Sequence, residues 1–346
     1  MNAAVPSSIG QMDAQWLTAV LPGDVAEVRA ERIAQDTGFS AALYRLHLTG
    51  TDVPPTLIAK LPAESEARAA MEMLGGYRRE LTFYREVAPS APLSTPQCLY
   101  ADSSVDGFVI LLEDLGGWEN ADHLAGLTLD QAGRCLHQLA DLHAWSVCSA
   151  DTAVLQDFPP MDNPLTREVF LPAFAPGWQL YLDKTQQPVP AMVADFAARF
   201  AEHAPVALSA LSERQMLLHG DIRADNMFFR GEELKLVDFQ LTVRGSGIAD
   251  IAYLVSQGLP SAMRSGRDRE LVEEYHHRLW ARGVHDYSVE EAWRDYRLAT
   301  ALLVYMPVVA LLTWDIAPER SRRLCLTLVD RAVSAIAEID ALEEFQ

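Results

Sequence analysis

The sequence predicts an α+β fold of two lobes, an N-terminal lobe built on an antiparallel sheet and a larger, mainly helical C-terminal lobe. Strand-like alternation is concentrated before residue 115, the pair Gly116–Gly117 marks a break, and helical patterns dominate the remainder of the chain. A chain of 346 residues is also long enough to bury two cores. We therefore expect an N-terminal lobe over residues 1–115 and a C-terminal lobe over residues 116–346.

The N-terminal lobe should begin with a short amphipathic helix over residues 11–21, which Pro22 stops. Runs of β-forming residues predict strands over residues 25–34, 41–49, 56–61, 97–102 and 107–113. The first two strands are joined by a hairpin-like connection over residues 35–40. A long helix is predicted over residues 66–87, with a weak point at Gly75–Gly76.

The C-terminal lobe opens with a helix over residues 132–147, because Thr128 and Gln131 form a capping-box pattern before it. Further helices are predicted over residues 205–211, 271–280, 288–304 and 321–342. Residues 157–181, rich in proline and aromatic side chains, receive no assignment. Residues 298–314 are strongly apolar but short for a membrane span, and we expect them to form a buried core helix.

Charge excludes some classes of partner. The chain carries 28 basic and 48 acidic residues, a net charge of −20. Nucleic acids and anionic membranes demand basic patches, so neither is expected as a partner. The four cysteines are scattered without a Cys-x-x-Cys pair, as for thiols in a reducing compartment. Because the first ten residues also lack a basic segment followed by an apolar run, we expect a cytoplasmic location.

Two polar motifs, each directly after a short apolar run, carry most of the chemical information. The first is His219-Gly220-Asp221 with Asn226, and the second is Asp238-Phe239-Gln240. Phosphoryl transfer requires a base or orienting group for the incoming hydroxyl and oxygen ligands for the magnesium that bridges the nucleotide phosphates. Asp221, Asn226 and Asp238 are the right residue types in the right order for this chemistry.

Lys60 is the next strongest signal. The chain has three lysines against 25 arginines, and Lys60 lies in a predicted strand that is otherwise apolar. A compact ammonium group suits nucleotide phosphates, although an outward-facing lysine at a strand end is the alternative. Glu80 is the candidate carboxylate to hold it, because Met73, Tyr77, Phe83 and Tyr84 share its helical face and should turn it inward.

Together these residues resemble the aminoglycoside phosphotransferase and choline kinase superfamily, which has a protein-kinase-like fold. Within this superfamily, the motif sequences are most similar to those of the ecdysteroid-kinase-like branch and related bacterial small-molecule kinases. The resemblance spans about residues 30 to 255. Besides the two polar motifs, it rests on Leu111-Leu112-Glu113-Asp114-Leu115, Leu142-His143-Ala144-Trp145 and Gly247-Ile248-Ala249-Asp250-Ile251-Ala252.

The resemblance implies catalytic and metal-binding roles in the C-terminal lobe. Asp221 would accept or orient the proton of the substrate hydroxyl. Asn226 and Asp238 would bind magnesium. Arg223 would steady the γ-phosphate or form a plain salt bridge. His219 and Asp250 would support the loop, Asp250 by accepting backbone hydrogen bonds.

The resemblance also implies that the N-terminal lobe binds ATP. Lys60 would contact the α- and β-phosphates and be steadied by Glu80. Backbone groups of Glu113 and Leu115 would pair with adenine. Gly38 is the single glycine of the expected phosphate loop, a departure from protein kinases, which have three there.

The pattern departs from protein kinases in ways that favour a small acceptor. Gln240 replaces the glycine of Asp-Phe-Gly, and only twelve residues separate Asp238 from Asp250. That interval is too short for a segment that docks a peptide, so we expect no protein substrate.

The identity of the phosphate acceptor stays open. The aromatic residues within 157–181 are either part of an acceptor pocket or core. The candidate acceptors are an apolar alcohol, a hydroxyacyl thioester, an amino sugar and an amino alcohol. The rival function is a non-catalytic nucleotide-binding or scaffold protein.

Overall fold

The computed structural model describes residues 4–33, 41–62, 66–104 and 107–345. Its contacts group into two units. The first comprises Met1–Ser90, Ser94–Glu119 and Phe228–Leu241, and the second Ala91–Leu93, Asn120–Met227 and Thr242–Gln346. Asp238 therefore belongs to the first unit, although it lies beyond residue 116. The nucleotide-binding and catalytic roles expected of residues 1–115 and 116–346 stay predictions. The hairpin-like connection over residues 35–40, with Gly38, lies outside the described residues.

The strands, in chain order, are β1 (Asp24–Ile33), β2 (Ala41–Thr51), β3 (Thr56–Pro62), β4 (Cys98–Ser104), β5 (Gly107–Glu113), β6 (Glu119–Asn120), β7 (Met216–Leu218), β8 (Met227–Arg230), β9 (Glu233–Leu236) and β10 (Val243–Gly245). The α-helices are α1 (Ala14–Val20), α2 (Glu66–Met73), α3 (Gly76–Thr82), α4 (Leu129–Cys148), α5 (Thr152–Leu155), α6 (Leu171–Lys184), α7 (Ala191–Ala198), α8 (Phe200–Leu211), α9 (Ile248–Gly258), α10 (Ser261–Arg264), α11 (Asp268–Ala281), α12 (Val289–Leu302), α13 (Tyr305–Ala310) and α14 (Glu319–Glu338). Wider π-type turns cover Phe83–Val87 and Thr166–Phe170, and 3₁₀ turns cover Ile9–Gln11, Ala224–Asn226, Leu311–Thr313 and Ala341–Phe345.

The first unit is organised around an antiparallel sheet. Within the described ranges its strand order is β1-β2-β3-β5-β4, built from the strands that the sequence predicts. On one face, Leu46 of β2 and Ala59 of β3 pack in an apolar cluster with Leu17 of α1. Since side chains alternate along a strand, Lys60 projects from the opposite face. Lys60 is nevertheless buried, and it pairs with Leu43 of β2 on one side and with Ile110 of β5 on the other.

The helix predicted over residues 66–87 is broken in two. Gly75 has a φ of +69°, a left-handed conformation that glycine adopts without strain, and it separates α2 from α3. The break changes which side chains face inward. Met73 is 69% exposed, so its predicted place on the inward stripe was wrong, whereas Tyr77 and Phe83 are buried beyond the break.

The second unit is mainly helical. Its helix α4 begins with the predicted capping box, in which Thr128 and Gln131 exchange side-chain and backbone hydrogen bonds. Strand β7 pairs with β10, with Leu218 opposite Val243. The pairing is antiparallel, so the chain that leaves β10 for helix α9 starts beside Met216, the first residue of β7. Every residue of α9 is buried.

The apolar segment predicted as a core helix forms parts of α12, α13 and a 3₁₀ turn. Among the described residues, the helical run Val289–Thr313 is long and apolar enough to cross a membrane by length and composition alone. However, 61% of its apolar window is buried inside the protein. Its burial therefore agrees with the prediction of a core helix.

Candidate active site

In the first unit, three charged side chains from separate elements meet. Lys60 comes from β3, Glu80 from α3, and Asp238 follows β9. The Nζ atom of Lys60 lies 2.8 Å from Oε1 of Glu80 and 3.0 Å from Oδ1 of Asp238. Lys60 and Glu80 are buried, at 6% and 1% exposure. An ammonium group is thus held between two carboxylates inside the unit.

The two carboxylates keep Lys60 charged. Burial alone would lower the pKa of the Lys60 ammonium group, because a buried charge loses its hydration. The charges of Asp238 and Glu80, with the hydrogen bonds that they accept, outweigh burial and raise this pKa above its usual value. Lys60 therefore remains a cation across the physiological pH range.

The residues around Asp238 are firmly packed. Asp238 has a φ of +69°, in the left-handed region that aspartate tolerates better than most residues. The ring of Phe239 stacks on Phe83 with centroids 3.5 Å apart and meets Tyr84 edge-on at 5.6 Å. Gln240 is buried as well. The rings that contact Phe239 thus hold the residue next to Asp238 in place.

The backbone segment expected to pair with adenine is also fixed. Asp114 receives hydrogen bonds from Nε of Arg45 at 2.7 Å and from the backbone N–H of Gly116 at 2.9 Å. It lies between Glu113 and Leu115, whose backbone groups are the predicted contacts. Because its carboxylate is held from two sides, the backbone on either side of it has little freedom.

In the second unit, Asp221 and Asn226 share a loop that starts after β7. Residues 219–226 are termed the catalytic loop after the role that the sequence predicts for them. The Nδ2 atom of Asn226 donates to the backbone oxygen of Asp221 at 2.9 Å. The amide oxygen of Asn226 is then the atom that remains for a metal. Nε of Arg223 lies 3.0 Å from Oδ1 of Asp221, so Arg223 forms a salt bridge with the predicted base.

Asp250, at the start of α9, holds the first residues of the catalytic loop. Its carboxylate accepts the backbone N–H groups of His219 at 2.7 Å and Gly220 at 3.0 Å. His143 lies 3.2 Å from the same carboxylate through Nε2 and 2.9 Å from the hydroxyl of Tyr275 through Nδ1. His219 is fully buried, and its Nδ1 accepts from the backbone of Asp221 at 3.3 Å.

Gly247 permits this close packing. A Cβ atom on Gly247 would lie 2.4 Å from the hydroxyl of Tyr275 and 2.5 Å from Nδ1 of His143. Any side chain there would therefore displace the pair that supports Asp250. This explains why glycine precedes α9.

His123 is a site residue that the sequence did not reveal. It is completely buried, its Nδ1 accepts the backbone N–H of Ala224 at 2.7 Å, and its own backbone N–H donates to Asp225 at 3.1 Å. Burial lowers the pKa of His123 to about 3, with the cations Arg223 and Arg331 adding to the effect. The neutral ring therefore stays a hydrogen-bond acceptor for the catalytic loop at physiological pH.

The depressed pKa predicts acid sensitivity. Unfolded His123 should take up a proton near pH 6.5, whereas the folded residue should stay neutral to about pH 3. Its contribution to stability is complete above about pH 6.5 and declines as the pH falls below it. At pH 5 the loss should be about 2 kcal/mol.

Denaturant unfolding at pH 7 and pH 5 measures this loss. The variant His123→Asn keeps a side-chain acceptor but cannot titrate, so its loss between the two pH values should be smaller by about 2 kcal/mol. An equal loss in both proteins would refute the prediction.

The predicted metal ligands have suitable chemistry for magnesium. Asn226 and Asp238 offer hard oxygen atoms, which Mg²⁺ prefers. Among the described residues, no group of three or more His, Cys, Asp and Glu side chains is arranged to hold a metal ion. Magnesium in nucleotide-using enzymes is usually held by few protein oxygen ligands together with substrate phosphates, so the side-chain oxygens of each residue suit it chemically.

The aromatic residues within 157–181 are mostly core. The buried apolar side chains of this segment include Phe158, Met161, Phe174, Trp178 and Tyr181. Phe174, for example, stacks on Phe200 of α8 with centroids 3.7 Å apart. Of the two interpretations that the sequence left open, core packing accounts for these side chains, and they give no support for an aromatic acceptor pocket.

Comparison with known sequences gives a family. The sequence profile of the ecdysteroid kinase-like family matches residues 36–282, which include Lys60, Asp221 and Asp238. No curated protein matches the sequence.

Comparison with solved structures gives the fold. A choline kinase from Cryptosporidium parvum Iowa II matches with a TM-score of 0.57 and 11% identity over 90% of each chain. An aminoglycoside phosphotransferase from Alicyclobacillus acidocaldarius matches with a TM-score of 0.56 and 12% identity over 99% of this chain and 97% of that one. The GDP complex of an aminoglycoside 2′-phosphotransferase matches with a TM-score of 0.53 and 15% identity over 90% of this chain and 94% of that one. The predicted protein-kinase-like fold is therefore confirmed.

Proposed function

The chain belongs to the ecdysteroid kinase-like family, as its motifs predicted, and we propose on this basis that it is an ATP- and magnesium-dependent phosphotransferase acting on a hydroxyl group of a small molecule. The observation that carries the proposal is the buried cation of Lys60, held by Glu80 beside Asp238. Its ammonium group suits a polyphosphate, and Asp238 is the residue type that binds the accompanying metal.

We assign two tasks to the residues of the site: handling the proton of the acceptor, and binding the phosphates and the metal. Asp221 accepts or orients the proton of the acceptor hydroxyl, and the salt bridge from Arg223 keeps its carboxylate in place. Lys60 contacts the α- and β-phosphates. Asn226 and Asp238 are the proposed magnesium ligands. Bound magnesium would neutralise the negative charge of the phosphates.

The base of the nucleotide would be bound by backbone groups. We assign this role to Glu113 and Leu115, because the clamp of Arg45 on Asp114 holds the segment between them. Backbone groups make no demand on side-chain identity here, and ATP is the donor that we propose.

The acceptor is a small molecule rather than a protein. The interval between Asp238 and Asp250 carries β10 and the turn into α9, which leaves no segment long enough to dock a peptide. Within small molecules, the burial of the 157–181 aromatic side chains removes the argument for an apolar alcohol. The four candidate acceptors, an apolar alcohol, a hydroxyacyl thioester, an amino sugar and an amino alcohol, therefore have equal support.

The rival proposal is a non-catalytic nucleotide-binding or scaffold protein. A scaffold has no chemical use for Lys60, Asp221, Asn226 and Asp238 together. We therefore favour the enzyme.

A screen for new phosphate esters tests the proposal. The protein is mixed with magnesium-ATP and pools of hydroxylated metabolites, and products are followed by mass spectrometry alongside thermal unfolding with and without nucleotide. We expect one acceptor class to gain a phosphate ester. A nucleotide-dependent rise in Tm without any ester would favour the scaffold, and the absence of both effects would reject both proposals.

A further inference from the structure

The catalytic loop is held by a second segment, residues 120–124, termed the bracing segment. Ala224 donates its backbone N–H to Nδ1 of His123 at 2.7 Å, and His123 donates its backbone N–H to Oδ1 of Asp225 at 3.1 Å. Nδ2 of Asn120 also donates to the backbone oxygen of Asp225 at 2.9 Å. The two segments are thus joined by reciprocal hydrogen bonds directly beside Asn226.

One arginine of the C-terminal helix α14 binds both segments. Nη2 of Arg320 lies 2.8 Å from Oδ1 of Asp122 in the bracing segment and 3.1 Å from Oδ1 of Asp225 in the catalytic loop. Nη1 lies 3.3 Å from the other oxygen of Asp225. A single guanidinium group therefore bridges two carboxylates that come from different parts of the chain.

A second arginine of α14, Arg331, donates hydrogen bonds to backbone oxygens of the bracing segment. Nη1 of Arg331 donates to the backbone oxygens of His123 at 2.9 Å and Gln257 at 3.0 Å, and Nη2 donates to that of Leu124 at 2.9 Å. Arg331 is buried. Helix α14 is thereby attached to the bracing segment at two points, one of which also reaches the catalytic loop.

We infer that Arg320 is a positioning residue for phosphoryl transfer, and that α14 is part of the catalytic machinery although it lies outside the family match over residues 36–282. The inference rests on the proposed function. Arg320 would act through Asp225, the residue next to Asn226, and so fix the loop on which Asp221 also lies. No contact of Arg320 with substrate is implied.

The expected effects on stability and on rate distinguish this role from a purely structural one. The side chains of Arg320 and Asp225 are 37% and 21% exposed, and ion pairs this accessible to solvent contribute little to stability. In contrast, a displacement of about 1 Å in a catalytic group can cost roughly 10²-fold in rate. Loss of Arg320 should therefore impair catalysis far more than folding.

The test compares Arg320→Ala with Arg323→Ala, which removes an exposed arginine from the same helix. For Arg320→Ala we expect kcat to fall at least about tenfold with the nucleotide KM within about twofold. Tm should drop by no more than about 3 °C. Hydrogen exchange should become faster in peptides covering residues 219–227. The control should change none of these.

A double-mutant cycle identifies the route. If Arg320 acts through Asp225, combining Arg320→Ala with Asp225→Asn should cost no more in kcat than the worse single variant. Multiplied losses, an unchanged kcat or unchanged exchange in the catalytic loop would overturn the inference. If the wild-type protein transfers no phosphate, the proposed function fails, and the exchange measurement alone decides whether Arg320 holds the loop.

Discussion

Replacing Asp221 by asparagine should reduce phosphate transfer by about 10²- to 10⁴-fold while nucleotide binding stays nearly intact. The substitution preserves the size of the side chain and an oxygen that can accept from Arg223. It removes the negative charge that would take or orient the acceptor's proton. Because the proposed nucleotide contacts lie on other residues, affinity for the nucleotide should not depend on this charge.

Initial rates of ester formation and calorimetric titration with nucleotide measure the two effects. Asp195→Asn, which changes an exposed carboxylate of α7 in the same unit, is the matched control and should leave both unchanged. An Asp221→Asn protein that turns over normally, or one that no longer binds nucleotide, would show that the role of Asp221 is misassigned.

Replacing Lys60 by methionine should lower the free energy of unfolding by about 3–5 kcal/mol and abolish productive nucleotide binding. The stability loss arises because Glu80 and Asp238 then lose the cation that lies between them and neutralises them. Glu80 is buried and cannot regain the hydration that would compensate its charge. Denaturant unfolding and nucleotide titration of the variant measure both losses.

A second substitution separates charge from packing. Lys60→Met combined with Glu80→Gln removes one of the two carboxylates, so the double variant should be more stable than Lys60→Met alone. Lys184→Met is the matched control, since Lys184 is exposed and its Nζ atom lies 5.3 Å from the centre of the Trp314 ring; its loss should stay below about 1 kcal/mol. If the double variant were less stable than Lys60→Met, uncompensated charge would not be the cause.

Much of the fold could be predicted because local patterns carry it. Period-two alternation in β2 and the capping box at Thr128 each depend on residues close together in the chain. The break at Gly75 was anticipated as a weak point, but its consequence for Met73 was not. A helix interrupted by one left-handed residue changes direction, so a single 3.6-residue period cannot be extended across it.

The site divides in the same way between local and distant determinants. Lys60, Asp221 and Asp238 were selected from residue type and the apolar runs before them. The contributions of His123 and Arg320 could not be predicted, since each depends on contacts about 100 residues away along the chain. Neither lies in a local pattern that distinguishes it from an ordinary surface residue.

The central claim, that this chain transfers a phosphoryl group to a small-molecule hydroxyl, is most directly tested by following the phosphate itself. Magnesium-ATP with an isotope-labelled γ-phosphate is supplied with a pool of hydroxylated metabolites, and the label is traced by mass spectrometry. The wild-type protein should place the label in an ester of one acceptor class, and Asp221→Asn should not. Label found only in ATP and inorganic phosphate, whatever the acceptor pool, would contradict the claim.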